Sequence, residues 1–78
     1  MRRNKMQMYL KNKSKSINDR LTECNNIKSK IDEMYLSNSI DAIDYDSLMD
    51  TNENIENALK GQLLLINTII KDIQLWRI

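Results

Sequence analysis

Residues 59–78 read L-K-G-Q-L-L-L-I-N-T-I-I-K-D-I-Q-L-W-R-I, with apolar side chains around most of a helix's circumference. Set Leu59 at zero and advance about 100° per residue; Leu59, Leu63, Ile66, Ile70 and Ile73 then fall within about 40° of one line, and Ile55 joins them. A second stripe of Ala58, Leu65, Ile69 and Trp76 lies roughly 100° away. Leu64 and Leu75 form a third patch on the far side. One helical neighbour covers one stripe. A helix with this pattern is built for two neighbours, and at least one of them can be another molecule.

The rest of the chain has little to lay over the surplus. Its 78 residues make one domain, and a chain of this size hides only about 60% of the surface its unfolded form exposes. Small folds of this kind usually add a disulfide, a metal or a partner. Cys24 is the single cysteine and His is absent, so neither an intrachain disulfide nor a tetrahedral metal site is expected. No cofactor is implied, and a partner is the remaining route. Pro is absent and Gly occurs once, at Gly61, so the chain is poor in the turn residues an all-β fold needs; Phe is absent too.

Net charge is +1, yet the charges are sorted. Arg2, Arg3, Lys5, Lys11, Lys13 and Lys15 precede any acid. Between Ile31 and Leu59 stand Asp32, Glu33, Asp41, Asp44, Asp46, Asp50, Glu53 and Glu56, with no base. No run approaches the ~18 consecutive apolar residues of a membrane span. The basic start lacks the apolar core of a secretory signal. A cytoplasmic protein with a reduced thiol is the expectation.

Residues 1–16 are basic and weakly periodic, with Met6, Met8, Tyr9 and Leu10 as their sizeable apolar groups. They read as a flexible or partner-ordered extension, with room for a short basic helix. From Ile17 the pattern sharpens: Ile17, Leu21, Cys24, Ile27, Ile31 and Met34 recur at steps of four, three, three, four and three, a helical seam close to a heptad. This predicts a first helix over about 17–36, closed by Tyr35 and Leu36. Ser and Asn across 37–41 favour a turn. Asp41 suits an N-cap, with Asp44 at the capping-box position, and Asp44, Asp46 and Asp50 complement the helix dipole. The second helix should span about 42–77, with Tyr45, Leu48, Ile55, Leu59, Leu63, Ile66, Ile70 and Ile73 as its inner seam. Gly61 points away from that seam and costs ~1 kcal/mol relative to Ala. So short a loop makes the helices antiparallel neighbours. The fold class is all-α: an antiparallel, coiled-coil-like two-helix hairpin over 17–78.

No catalytic constellation is visible. Nucleophilic catalysis needs an activated group beside a base, and a hairpin offers no cleft to separate the pKa values of Asp32 and Glu33 or of Glu53 and Glu56. Enzyme activity is not expected. Cys24 reads as a small buried hydrophobe, with a redox or intermolecular disulfide role as the alternative. The basic start can bind phosphates or an anionic surface, but a solvated tail, or one docked on an acidic partner, is the plainer reading. Trp76 either caps the open end of the core or anchors an interface. The expected partner-binding set is Ala58, Leu65, Ile69 and Trp76, with Leu64 and Leu75. A homodimer packing these faces into a four-helix bundle competes with a heteromeric partner.

The layout resembles the small co-chaperones of bacterial type III secretion needle subunits, the YscE/SsaE/EscE type. The resemblance covers about residues 17–77. It is carried by Ile31, Met34 and Tyr35 closing the first helix, the short polar loop, Asp41-Ala42-Ile43-Asp44-Tyr45, Ile55-Glu56-Asn57-Ala58-Leu59, and the run from Ile66 to Ile73 ending in Leu75-Trp76-Arg77. The basic first 16 residues are not part of the family pattern. The resemblance implies a helical hairpin in the cytoplasm of a Gram-negative bacterium. Its partner would be a TPR-like chaperone subunit and, through it, the needle subunit, held soluble and monomeric. A self-associating structural or adaptor hairpin is the alternative.

Overall fold

The computed structural model describes the backbone of residues 2–75 and the side chains of residues 5–75. It contains two helices, α1 (Arg2–Leu36) and α2 (Ala42–Leu75), packed against each other along their length. They form a rod with Cα extents of 59 × 14 × 12 Å. The all-α antiparallel hairpin expected from the sequence is the fold. Among the described residues, no helix is long and apolar enough to cross a membrane.

The turn follows from local chemistry. Asn38 takes a left-handed conformation at φ 62°, which Asn tolerates better than most residues. Ser39 N–H donates to the Met34 carbonyl at 2.8 Å and Asn38 N–H to the Tyr35 carbonyl at 3.1 Å. These two bonds are the Schellman pattern, with Asn38 in the position usually held by glycine. Asp41 then caps α2: its Oδ1 accepts the Asp44 N–H at 2.8 Å, and its carbonyl accepts the Tyr45 N–H at 2.9 Å. Such a cap typically stabilises a helix start by ~1 kcal/mol. Asp44 lies in the first turn, where negative charge meets the positive end of the dipole.

Packing is narrower than the sequence pattern suggests. The buried positions of α1 are Leu10, Ile17, Cys24 and Ile31; those of α2 are Asn52, Leu59 and Ile66. Each set advances by seven residues, the repeat that keeps one seam facing a partner helix. Leu21, Leu63, Ile69, Ile70 and Ile73 pack partly buried against this row. Among the described residues no large side chain is fully enclosed.

Three expectations are corrected. Helix α1 starts at Arg2, not near Ile17, and residues 2–16 belong to it rather than to a separate extension. Leu10 lies one heptad before Ile17 and is buried, so the seam continues and carries the helix with it. Ile27 and Met34, placed in the core by their spacing, are 47% and 40% exposed, and Leu48 and Ile55 are 42% and 51% exposed. Two cylinders touch along one line, and residues flanking that line keep one side in water. The α2 seam passes through Asn52 instead. Its side-chain amide donates to the Cys24 carbonyl at 3.0 Å, a buried bond that pins the two helices to one register. Gly61 has open space where a Cβ would stand, so close helix approach does not require it.

A polar group in an apolar seam trades stability for register. Asn52→Leu should therefore raise stability by about 1 kcal/mol, or roughly 4–8 °C in Tm, whereas Asn52→Ala should lower it by a similar amount. Thermal melts followed by circular dichroism test this. If Asn52→Leu melts below the parent chain, the amide bond is a net stabiliser and the expectation fails.

Candidate protein-docking face

The hairpin has two grooved sides, and they differ in chemistry. One groove is lined by Lys28, Met49, Asn52, Glu53 and Glu56. It is polar, with no third carboxylate or thiol to complete a metal site; among the described residues no cluster of His, Cys, Asp or Glu is grouped to hold one. The other side carries two shallow depressions in line. Towards the open end of the hairpin lie Tyr9, Leu10 and Lys13 of α1 with Gln62, Leu65 and Ile66 of α2. Towards the loop lie Arg20, Glu23, Cys24 and Ile27 with Asn52, Ile55 and Leu59. Buried seam residues form the floor of both, and exposed apolar groups form the walls.

The expected partner-binding residues divide accordingly. Leu65 is 61% exposed and stands at the wall of the open-end groove. Ala58 is exposed. Ile69 is half-buried and packs on the core, so it serves the hairpin as well as its surface. Leu64 and Leu75 are strongly exposed. Their helical phase turns them away from the groove, and they do not join this face. Trp76 lies outside the described residues. The structure adds Tyr9, Ile27 and Ile55, all exposed. Tyr9 and Ile27 are 18 residues apart, five helical turns, which puts them on one line of α1. That spacing is present in the sequence, but it means little until residues 2–16 are known to be helical.

Away from the groove, the loop end holds a small polar cluster. The Tyr45 hydroxyl donates to Asp32 Oδ1 at 2.7 Å. The rings of Tyr35 and Tyr45 lie 4.6 Å apart and tilted by 31°. The hydrogen bond to Asp32 raises the Tyr45 pKa above its ordinary 10.0, helped by burial and by the charges of Asp32 and Asp46. Cys24 is buried with its thiol free. These features brace the two helices near the turn; they do not assemble a nucleophile with a base.

Compared with family models, curated proteins and solved structures, the chain gives no match.

The Tyr45 phenol must remain protonated to donate, so its contribution to stability is complete below about pH 10 and fades as pH rises through the elevated folded value. Alkaline titration followed by circular dichroism should show destabilisation beginning above about pH 10. Tyr45→Phe should remove that alkaline component while lowering stability at neutral pH. An identical alkaline profile in the Phe variant would assign the loss to another group.

Proposed function

We propose that this chain is a non-enzymatic docking hairpin, and that it acts as a small co-chaperone. It would pair with a TPR-like chaperone subunit in the cytoplasm and help to keep a secretion-needle subunit soluble and monomeric. The observation that carries the docking reading is the exposure of Leu65 beside Tyr9, over a groove floored by Leu10 and Ile66. A hairpin with this little enclosed volume gains from covering such a surface: at ~25 cal/mol per Å², burying ~600 Å² of apolar area would contribute ~15 kcal/mol before association and ordering costs. The co-chaperone identity rests on the resemblance in layout.

The physical logic of that role is direct. A needle subunit polymerises when its apolar helix meets copies of itself, and occupying that helix in a soluble complex blocks the route. A rod-shaped hairpin presents a long, narrow apolar strip, which suits the concave side of a helical-repeat partner.

Leu65→Asp is the informative substitution, because Leu65 lies outside the buried row and its loss should leave helicity intact. Anchor residues of this kind typically cost about 2 kcal/mol or more, so affinity for a TPR-like chaperone should fall at least ~30-fold. Co-purification and titration calorimetry read this out. Ile69→Asp is less clean, since Ile69 also packs on the core. Undiminished capture of the chaperone by Leu65→Asp would reject the reading.

A further inference from the structure

The rod is electrically polarised. Divide it at its waist, between Asn18 and Asp19 on α1 and between Ala58 and Leu59 on α2. The open half, residues 2–18 with 59–75, holds eight bases (Arg2, Arg3, Lys5, Lys11, Lys13, Lys15, Lys60, Lys71) and one acid, Asp72. The loop half, residues 19–58, holds ten acids and three bases, Arg20, Lys28 and Lys30. The formal charges are therefore +7 and −7. Among the described residues a single ion pair forms, Lys60 with Glu56 at 3.4 Å, within α2 and straddling the waist.

The apolar face spans both halves. The hydrogen bond from Asn52 to Cys24 places those residues at one level, so Asn18 of α1 lies level with Ala58 of α2. Now turn a second copy end for end about that level and lay the same face against the first. Tyr9 lies nine residues towards the open end from Asn18, and Ile27 nine towards the loop, so each meets the other across the two-fold. Lys13 and Glu23 lie five residues to either side and meet likewise. Leu65 falls between the levels of Leu48 and Ile55 on the opposing α2, a knob over a gap between neighbours on one face. Ala58, small and exposed, sits at the crossing point, where the two α2 helices must come closest.

We propose that two copies of this chain pair antiparallel on the face of Tyr9, Ile27, Ile55 and Leu65, basic half against acidic half, to close a four-helix bundle. A parallel pair would bring +7 against +7 and −7 against −7. The antiparallel pair matches opposite signs along the full rod, and complementarity of this kind selects partner orientation. The rod as a whole measures 59 by 14 Å in Cα extent, so pairing along its full length, with the apolar face at the centre, covers on the order of the ~800 Å² per partner of a standard specific interface. The contact is isologous, so it closes at two and leaves no growing edge. Self-pairing on this face is independent of who the heterotypic partner is; a chaperone using Leu65 would have to displace the second copy.

Sedimentation equilibrium of the full chain tests this. The expected mass is twice the 9.2 kDa of the chain at about 10 μM, with a dissociation constant rising about tenfold between about 50 and 500 mM salt. Ile27→Glu and Tyr9→Glu should each give monomers of unchanged helicity. For orientation, mild oxidation of an equimolar mixture of Lys13→Cys and Glu23→Cys chains should yield a disulfide-linked dimer of the two variants. Either variant alone should yield little; the buried native Cys24 is present in both. A monomer at about 100 μM, a dimer that tightens with salt, or efficient cross-linking of either variant alone would overturn the proposal. A monomer that still captures a TPR-like chaperone rejects self-pairing and leaves the co-chaperone reading standing. A dimer that captures none does the reverse.

Discussion

The whole structure depends on a single row of side chains repeating every seven residues. Leu10, Ile17, Cys24 and Ile31 face Asn52, Leu59 and Ile66, and no other described position is as well covered. Two helices cannot do better, because a line of contact between cylinders encloses one residue per heptad on each and half-covers its flanks. A third or fourth helix would change the geometry by converting those flanks into a second seam. The exposed Ile27, Ile55 and Leu48 are therefore a necessary result of building a fold from two helices with an apolar pattern wide enough for more.

Much of this was legible in the sequence, for identifiable reasons. Asp41 announced the start of α2 because a short acceptor side chain before an amphipathic run can satisfy a free N–H, and it does so at Asp44. The Ser-Asn loop announced the turn because Asn tolerates the left-handed conformation that Asn38 takes. The start of α1 was hidden because its first two turns and more carry only one seam residue, Leu10, amid Lys and Asn. Periodicity is not detectable from one member. The true α2 seam was hidden by Asn52: a polar residue breaks a hydrophobic count, and only the three-dimensional partner, the Cys24 carbonyl, shows why it is inside.

The surface set was legible in part. Leu65 could be found from its angular offset to the main stripe, and it stands exposed where that offset puts it. Helical phase puts Leu64 and Leu75 on a third patch on the far side, and there they stand exposed, apart from this face. Tyr9, Ile27 and Ile55 are not legible as a face for opposite reasons: Tyr9 lies in a stretch without detectable periodicity, and Ile27 and Ile55 have the spacing of core residues. A docking face between two helices is assembled from residues that each helix alone would assign elsewhere.

The charge pattern and the apolar pattern constrain each other. Acids concentrated at the start of α2 complement its dipole, and the Lys-rich start of α1 lies across from the C-terminal part of α2, where positive charge is favourable. The sorting serves α2 and opposes α1, whose first turn has no acid and whose last turn has no base. Local helix chemistry alone would be satisfied by a few residues at each end. Seven net charges of each sign, spread over lengths of some ~25 Å at ~1.5 Å per residue, exceed that need. An apolar face on such a rod is not neutral ground: anything docking there experiences a field that reverses sign at the waist. A partner lacking the opposite reversal would incur unfavourable electrostatics along half its length, so specificity on this face comes from charge order as much as from the fit of Leu65 or Tyr9.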